Sequence, residues 1–582
     1  MLKLIRRFRP IDYVFLALIA GLTVLQVYCT MLLSDYMRDL ISSITMVSYG
    51  MPGFSENDIW FNAGMMLAVV GGMVGCQATI AILASAITAS FATNLRKELN
   101  EKINSFSLAE INKFSTASLI TRTTNDIENV QMTFLMMMRM IFAAPVTAIW
   151  AICKIQATST ELTLTTAAFL IFLLIGLLII FFLVVPKFKI FQNLIDRING
   201  ISRENLSGIR IVHAYNAESF QEDKFAKPND SLLKLGKFTG RVLSLFDPLI
   251  TIVMDGISLA VYWLGATLIN SGVTNYATVS SFMMLSTQIV MAFMTLLMMF
   301  IMLPRAMVSA KRVSAVLDTN SSIIDPKEEK EFLEKGTIEF DDVSFAYPDA
   351  DNPVISGVSF KAKQGDTVAI IGSTGSGKTS LINLIARFYD ATSGSIKIDG
   401  VDIKEVNQSS LRKIIGFIPQ KGNLFSGTIA SNIRFGNPSI SLEEMEEVAK
   451  TACAYDFINE MEKGFDSPIA HGGTNVSGGQ RQRLCIARAI AIHPEIYVFD
   501  DSFSALDFKT DLTLRTNLKE KEKEATKVIV AQRIGTIMDA DLILVLDQGK
   551  VVGQGTHKEL LSSCETYRSI ALSQLSKEEL GL

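Results

Sequence analysis

Six stretches of this 582-residue chain are apolar for long enough to cross a bilayer: roughly 13–34, 60–92, 131–156, 162–185, 246–270 and 276–302. A spanning helix needs about 20 apolar residues. No charge falls between Asp12 and Asp35, Asp58 and Arg96, Glu161 and Lys187, or Gly256 and Pro304. Asn270-Ser271-Gly272-Val273-Thr274-Asn275 supplies the turn that splits the last stretch into two helices. A soluble bundle accommodates one such run but not six, so the pattern predicts a membrane protein.

The pattern changes between and after these runs. Roughly 38 residues separate spans two and three, and roughly 60 separate four and five. Apolar residues there recur at helical spacing, as in Leu194, Ile195, Ile198, Ile201, Leu206 and Ile209. At about 1.5 Å per residue such helices project tens of ångströms beyond the membrane. A charge-rich segment, 318–336, ends the membrane domain, 1–317. Beyond it Thr337-Ile338-Glu339-Phe340 and Val343-Ser344-Phe345-Ala346-Tyr347 alternate like strands, and 337–582 mixes strands with helices. The expected architecture is a membrane α-helical domain with six transmembrane helices, followed by an α/β domain.

Charge follows the same division. Residues 1–320 carry 25 Lys and Arg against 20 Asp and Glu, and the remainder 29 against 38. Basic residues gather before span one (Lys3, Arg6, Arg7, Arg9), between spans two and three (Arg96, Lys97, Lys102, Lys113, Arg122), and between four and five, from Lys187 to Arg241. Basic connections stay in the cytosol, so both termini are expected there, in a multi-pass cell-membrane protein. The first run lacks a cleavage pattern of small residues and reads as an uncleaved span. The six cysteines form no C-x-x-C pair; isolated buried thiols in a reducing compartment are expected, and no zinc-type site.

Candidate chemistry begins at Gly372-Ser373-Thr374-Gly375-Ser376-Gly377-Lys378-Thr379, between a strand-like run, 367–371, and a helical one starting at Ser380. This is a phosphate-binding P-loop in its proper context. Glycines let backbone N–H groups turn inward on a polyphosphate, a helix N-terminus adds its dipole, Lys378 reaches the β/γ-phosphates and Thr379 can ligate Mg²⁺. The chain is therefore expected to bind a nucleoside triphosphate.

Four further elements follow in order: a strand ending in Gln420 (414–420), a glycine-rich turn opening a helix (Asn475 to Arg483), a buried strand ending in Asp500-Asp501, and Ser504-Ala505-Leu506-Asp507. With these the sequence resembles the ATP-binding cassette family. Two stretches of the membrane part, 118–126 and 204–218, are similar to that family's exporter coupling regions, so the likeness covers essentially the whole chain. It implies a cassette fused to six spans and roles residue by residue. Tyr347 would stack on adenine, Gln420 would touch Mg²⁺ and the attacking water, and Asp500 would hold Mg²⁺ with Thr379. ATP would rest on Gly372–Ser380. Two cassettes of this family sandwich two ATP molecules, so Ser477, Gly478, Gly479 and Gln480 would contact the γ-phosphate on a partner's P-loop.

Two positions depart from the family pattern. Its general base is a glutamate, where this chain has Asp501; its switch histidine is replaced by Gln532, in Ala531-Gln532-Arg533. Aspartate falls about 1 Å short of the attacking water, a misplacement that can cost on the order of 100-fold. Loss of base assistance costs about 10²–10⁴-fold. Gln532 donates a hydrogen bond but cannot take a proton. The resemblance thus implies the hydrolysis-impaired half of a heterodimer, whose homologous partner carries Glu after its Mg²⁺ aspartate. His471 is a milder departure, where exporters usually have a glutamate.

Methionines and phenylalanines crowd spans three and six, and flexible thioethers suit a surface that accepts several apolar shapes. Asp255 and Arg139 are intramembrane charges, which usually face a cavity or a partner. The expectation is ATP-driven export of hydrophobic or amphipathic small molecules, of the multidrug type; the alternatives are lipid, peptide or siderophore transport, or a chiefly regulatory nucleotide-gated subunit. DNA-repair relatives share the cassette, but six spans exclude that role, and nucleic acid is not an expected partner.

Overall fold

The computed structural model describes residues 4, 6–52, 55–348 and 350–580; Lys3, counted above among the basic residues, lies outside them. Two compact units are present: Met1–Glu101 with Leu119–Asp318, and Lys102–Ser118 with Thr319–Leu582.

The first unit holds the six expected spans, as Pro10–Ser48, Glu56–Asn104, Thr116–Thr158, Thr160–Ser207, Glu218–Asn270 and Tyr276–Leu317. The sixth helix is the hub, packed against the first, third and fifth. Val27, Met31, Ala151, Ile155, Val253, Ile257, Phe282 and Ile289 form its dry centre. Asn275 caps the sixth helix by accepting the Thr278 N–H at 2.8 Å, which fixes the predicted turn. Within the third, a π-helical turn, Arg122–Asp126, interrupts the ladder. There Asp126 accepts the Ser309 hydroxyl at 2.9 Å and pairs with Arg312 at 3.2 Å, binding spans three and six together.

An intramembrane charge passed over by the sequence reading is Lys154. Its ammonium meets Asp35 at 2.6 Å and donates to the Met31 carbonyl at 2.9 Å, so the pair neutralises itself between spans one and three. Arg139 and Asp255 are exposed on this chain, and among the described residues neither forms an ion pair. All six cysteines are free, as expected, but only Cys485 and Cys564 are buried. The expectation of buried thiols fails for the other four, three of which lie on helices whose outer faces this chain does not cover.

The second unit is built on a six-stranded sheet. Its strands are numbered here in chain order: β1 (Ile338–Phe345), β2 (Ile355–Ala362), β3 (Thr367–Gly372), β4 (Ser393–Ile398), β5 (Val401–Asp402), β6 (Ile415–Ile418), β7 (Gly427–Thr428), β8 (Pro468–Ile469), β9 (Ile496–Asp500), β10 (Thr526–Val530), β11 (Leu542–Asp547) and β12 (Lys550–Gly555). The large sheet runs β12-β11-β3-β10-β9-β6, with only β12 antiparallel, and a second sheet runs β2-β1-β4-β5. β9 and β10 are buried at every position, as a parallel sheet covered on both faces requires. Because the strands are parallel, their carboxyl ends meet along one edge, where ligands of open α/β sheets bind.

The segment 102–118 is anchored in this unit. Glu110, 7% exposed, accepts the N–H groups of Ser107 and Ser322 at 3.0 and 3.1 Å. Elsewhere buried Asp399 lies beside half-buried Glu495: Asp399 accepts the Thr337 N–H at 2.8 Å, while one buried oxygen of each carboxyl group has no hydrogen-bond donor. Burial, then the neighbouring Glu495, pushes the Asp399 carboxyl up to about 7.

Candidate nucleotide-binding site

The loop after β3 is shaped by its glycines. Gly375 and Gly377 take φ of +84° and +98°, where a Cβ is strained, and a Cβ at Gly372 would lie 2.1 Å from the Leu546 carbonyl oxygen. The helix Lys378–Ile385 follows at once, aiming its free N–H groups into a cavity of about 330 Å³. Thr374, Gly375, Gly377, Lys378, Thr379 and Ser380 line that cavity together with Gln420, Asp500, Asp501 and Gln532. Val354 and Val530 complete the wall; neither carries a motif that the sequence reading could have used. Gly372 and Ser373 supply carbonyls that accept the Lys378 ammonium at 2.9 and 2.7 Å, and Ser376 is 2% exposed within the loop. Burial lowers the Lys378 pKa, against the pull of Asp501 and Asp500.

Asp500 closes β9 and accepts the Thr379 hydroxyl at 3.1 Å. Burial raises its pKa, with the Thr379 bond and then the Lys378 charge opposing. Hard oxygen donors of this kind, with the Gln420 amide oxygen within the same cavity, suit Mg²⁺.

Asp501 takes φ of +49°, a left-handed conformation that aspartate tolerates better than most residues. Its N–H donates to the Val530 carbonyl at 3.0 Å, turning the chain from β9 toward β10. One carboxylate oxygen, Oδ2, then accepts two amides: Gln532 Nε2 at 2.7 Å and Gln420 Nε2 at 3.3 Å. Burial raises the Asp501 pKa while these bonds hold it down. Gln574, from the helix Glu565–Gln574, braces the turn by donating to the Gln532 carbonyl and accepting the Ile534 N–H, both at 2.8 Å. Nothing in the sequence pointed to Gln574.

Two predicted elements lie off the cavity wall. Tyr347, just beyond β1, reaches Ser380 through its hydroxyl at 2.8 Å. Ser477, Gly478, Gly479 and Gln480 open the helix Gly478–Ile490 as a reciprocal cap: Ser477 Oγ accepts the Gln480 N–H at 3.2 Å and Gln480 Oε1 accepts the Ser477 N–H at 2.9 Å. That helix start is exposed within this chain, with the Gly478 and Gly479 N–H groups and the helix dipole available to an anion.

A P-loop beside paired carboxylates at the carboxyl edge of a parallel sheet, on a chain with six spans, defines a membrane-bound nucleoside triphosphatase. Residues 13–293 match the ABC transporter transmembrane region and 355–504 the ABC transporter family. An uncharacterized ABC transporter ATP-binding protein of Mycobacterium tuberculosis is 37% identical over 522 residues, 89% of each chain. Another from Bacillus subtilis is 33% identical over 97% of each chain. An ATP-dependent lipid A-core flippase of Syntrophus aciditrophicus is 32% identical over 87% of this chain and 84% of its own. The structure of a bacterial Atm1-family ABC exporter with ATP bound superposes with a TM-score of 0.75 at 23% identity, covering 95% of this chain and 98% of that one, which is a likeness of fold. The chain belongs to the ABC transporter family. It is an ATP-driven exporter subunit with membrane and ATP-binding domains fused, a half-transporter that works with a second ABC subunit.

Proposed function

We propose that this chain is the hydrolysis-impaired half of a heterodimeric exporter: its own site binds ATP and turns it over slowly, while Ser477-Gly478-Gly479-Gln480 completes the partner's site. The single observation that carries this reading is the hold that Gln532 and Gln420 keep on Asp501 Oδ2. The two bonds fix Oδ2 in place and leave Oδ1 on a side chain one methylene shorter than the family's glutamate, so the held carboxylate falls short of the attacking water. Gln532 holds the carboxylate without offering a proton-accepting nitrogen.

The remaining roles follow the cavity. The P-loop N–H groups and Lys378 cradle the triphosphate; Tyr347, off the cavity wall, takes the adenine role that the family resemblance gives it. Thr379, Asp500 and Gln420 would hold Mg²⁺, which when bound neutralises charge developing on the phosphoryl oxygens. Both termini are assigned to the cytosol.

For the cargo, exposed Met132, Met136, Met291, Met298 and Met302 on spans three and six support hydrophobic or amphipathic compounds of several shapes. Lipid transport is the second reading, favoured by the 32% identity to a protein named as a lipid A-core flippase. The test is to purify the tagged chain from its native membranes, identify the copurifying ABC subunit, and compare dye efflux with lipid translocation in one proteoliposome preparation. A partner with Glu after its Mg²⁺ aspartate and ATP-dependent dye efflux are expected. A homodimer turning over ATP at full rate defeats the heterodimer reading, and lipid translocation alone defeats the multidrug one.

A further inference from the structure

The cytosolic segment between spans two and three reaches the nucleotide site through three aromatic rings. Ser107 caps the short helix Leu108–Phe114, and Leu108 and Ala109 pack against the core that contains Phe345 and Tyr389. From that helix Asn112 Nδ2 donates to the Tyr389 hydroxyl at 3.0 Å. The Tyr389 ring meets the Tyr347 ring edge-on, at 5.3 Å and 89°, and Phe345 touches both, at 4.9 Å from Tyr347 and 5.3 Å from Tyr389. Tyr347 in turn bonds Ser380, which lines the phosphate cavity. The ring of Tyr347 is thus held by an aromatic edge on one side and by a hydroxyl bond at its tip.

We propose that Asn112 and Tyr389 are positioning residues for the adenine platform, so that base recognition at this chain's own site depends on a segment lying, in sequence, between two membrane spans. The inference rests on the reading of Tyr347 as that platform. The physical content is preorganisation: a ring already fixed in its stacking orientation loses little side-chain freedom when adenine binds. A phosphate oxygen that accepts the Ser380 hydroxyl obliges Tyr347 to donate to Ser380, which leaves the tyrosine ring tied while nucleotide is present. Linkage is reciprocal, so adenine binding also tightens the docking of residues 107–114.

The test uses the full chain in lipid nanodiscs and two probes, ATP and inorganic tripolyphosphate, whose ratio of Kd values isolates the contribution of the base. Asn112→Ala and Tyr389→Phe, which keeps the ring, are each expected to shrink that ratio about threefold, the worth of a typical hydrogen bond. The double variant should be no worse than either alone, and tripolyphosphate binding should be unchanged. Hydrogen exchange within 107–114 should slow with ATP and not with tripolyphosphate. An unchanged ratio in both single variants, or an equal loss for both probes, overturns the proposal. A wild-type ratio that Tyr347→Ala leaves unaltered removes the platform itself, and with it the reading beneath the inference.

Discussion

Replacing Asp501 by Asn separates a catalytic carboxylate from a spectator. Asparagine has nearly the same shape, and its side-chain oxygen can still accept Gln532 Nε2 and Gln420 Nε2, which now lie 2.7 and 3.3 Å from Oδ2. The cassette should therefore keep its fold. The missing methylene already costs on the order of 100-fold at this site. Freeing Oδ2 from the shorter amide bond costs about 0.5–1.5 kcal/mol more, a further two- to tenfold. This site then contributes on the order of 1% or less of the complex's turnover, and its loss should change the steady-state ATPase rate by less than about twofold. Removing the partner's corresponding glutamate should lower the rate by about 10²–10⁴-fold. The assay is the ATPase rate of the purified pair, each single-site variant beside wild type. If Asp501→Asn alone brings turnover down to the level of the partner's variant, this site is catalytic and the impaired-site reading is wrong.

Lys378→Ala removes a half-buried ammonium from the phosphate cavity and should weaken ATP binding at this site by at least about tenfold, since charge-assisted bonds contribute about 1.5–3 kcal/mol; equilibrium binding of a fluorescent ATP analogue checks it, and unchanged affinity refutes it. Gly478→Glu should abolish ATPase activity of the complex without unfolding this chain, because a Cβ there meets nothing within 4 Å; full activity means that the partner's site does not use this turn. Asp399→Asn keeps an acceptor for the Thr337 N–H and offers Glu495 a permanent donor. An Asp399 carboxyl pushed up to about 7 costs the fold nothing below pH 4 and progressively more up to pH 7. The variant should therefore raise the Tm at pH 8 by several degrees and leave it unchanged below pH 4; a Tm gain equal at both pH values counts against the raised Asp399 carboxyl.

Contiguity explains what the sequence by itself determined. A span is one long, largely apolar run, and the P-loop, Ser477–Gln480 and Asp500-Asp501 are short stretches whose local spacing carries their chemistry. Six spans, the α/β cassette, the family and the altered Asp501 and Gln532 were all legible for that reason. Only the tertiary structure decided which distant residues share an atom. Gln420, Asp501 and Gln532 converge because β6, β9 and β10 lie side by side in the parallel sheet, an order that no local pattern encodes. Lys154 reads as one polar residue in an apolar run until helix packing brings Asp35 to 2.6 Å. Asn112 meets Tyr389 across 277 residues of sequence. Each of these contacts depends on how whole elements pack, so its free energy is a property of the assembled core rather than of any segment.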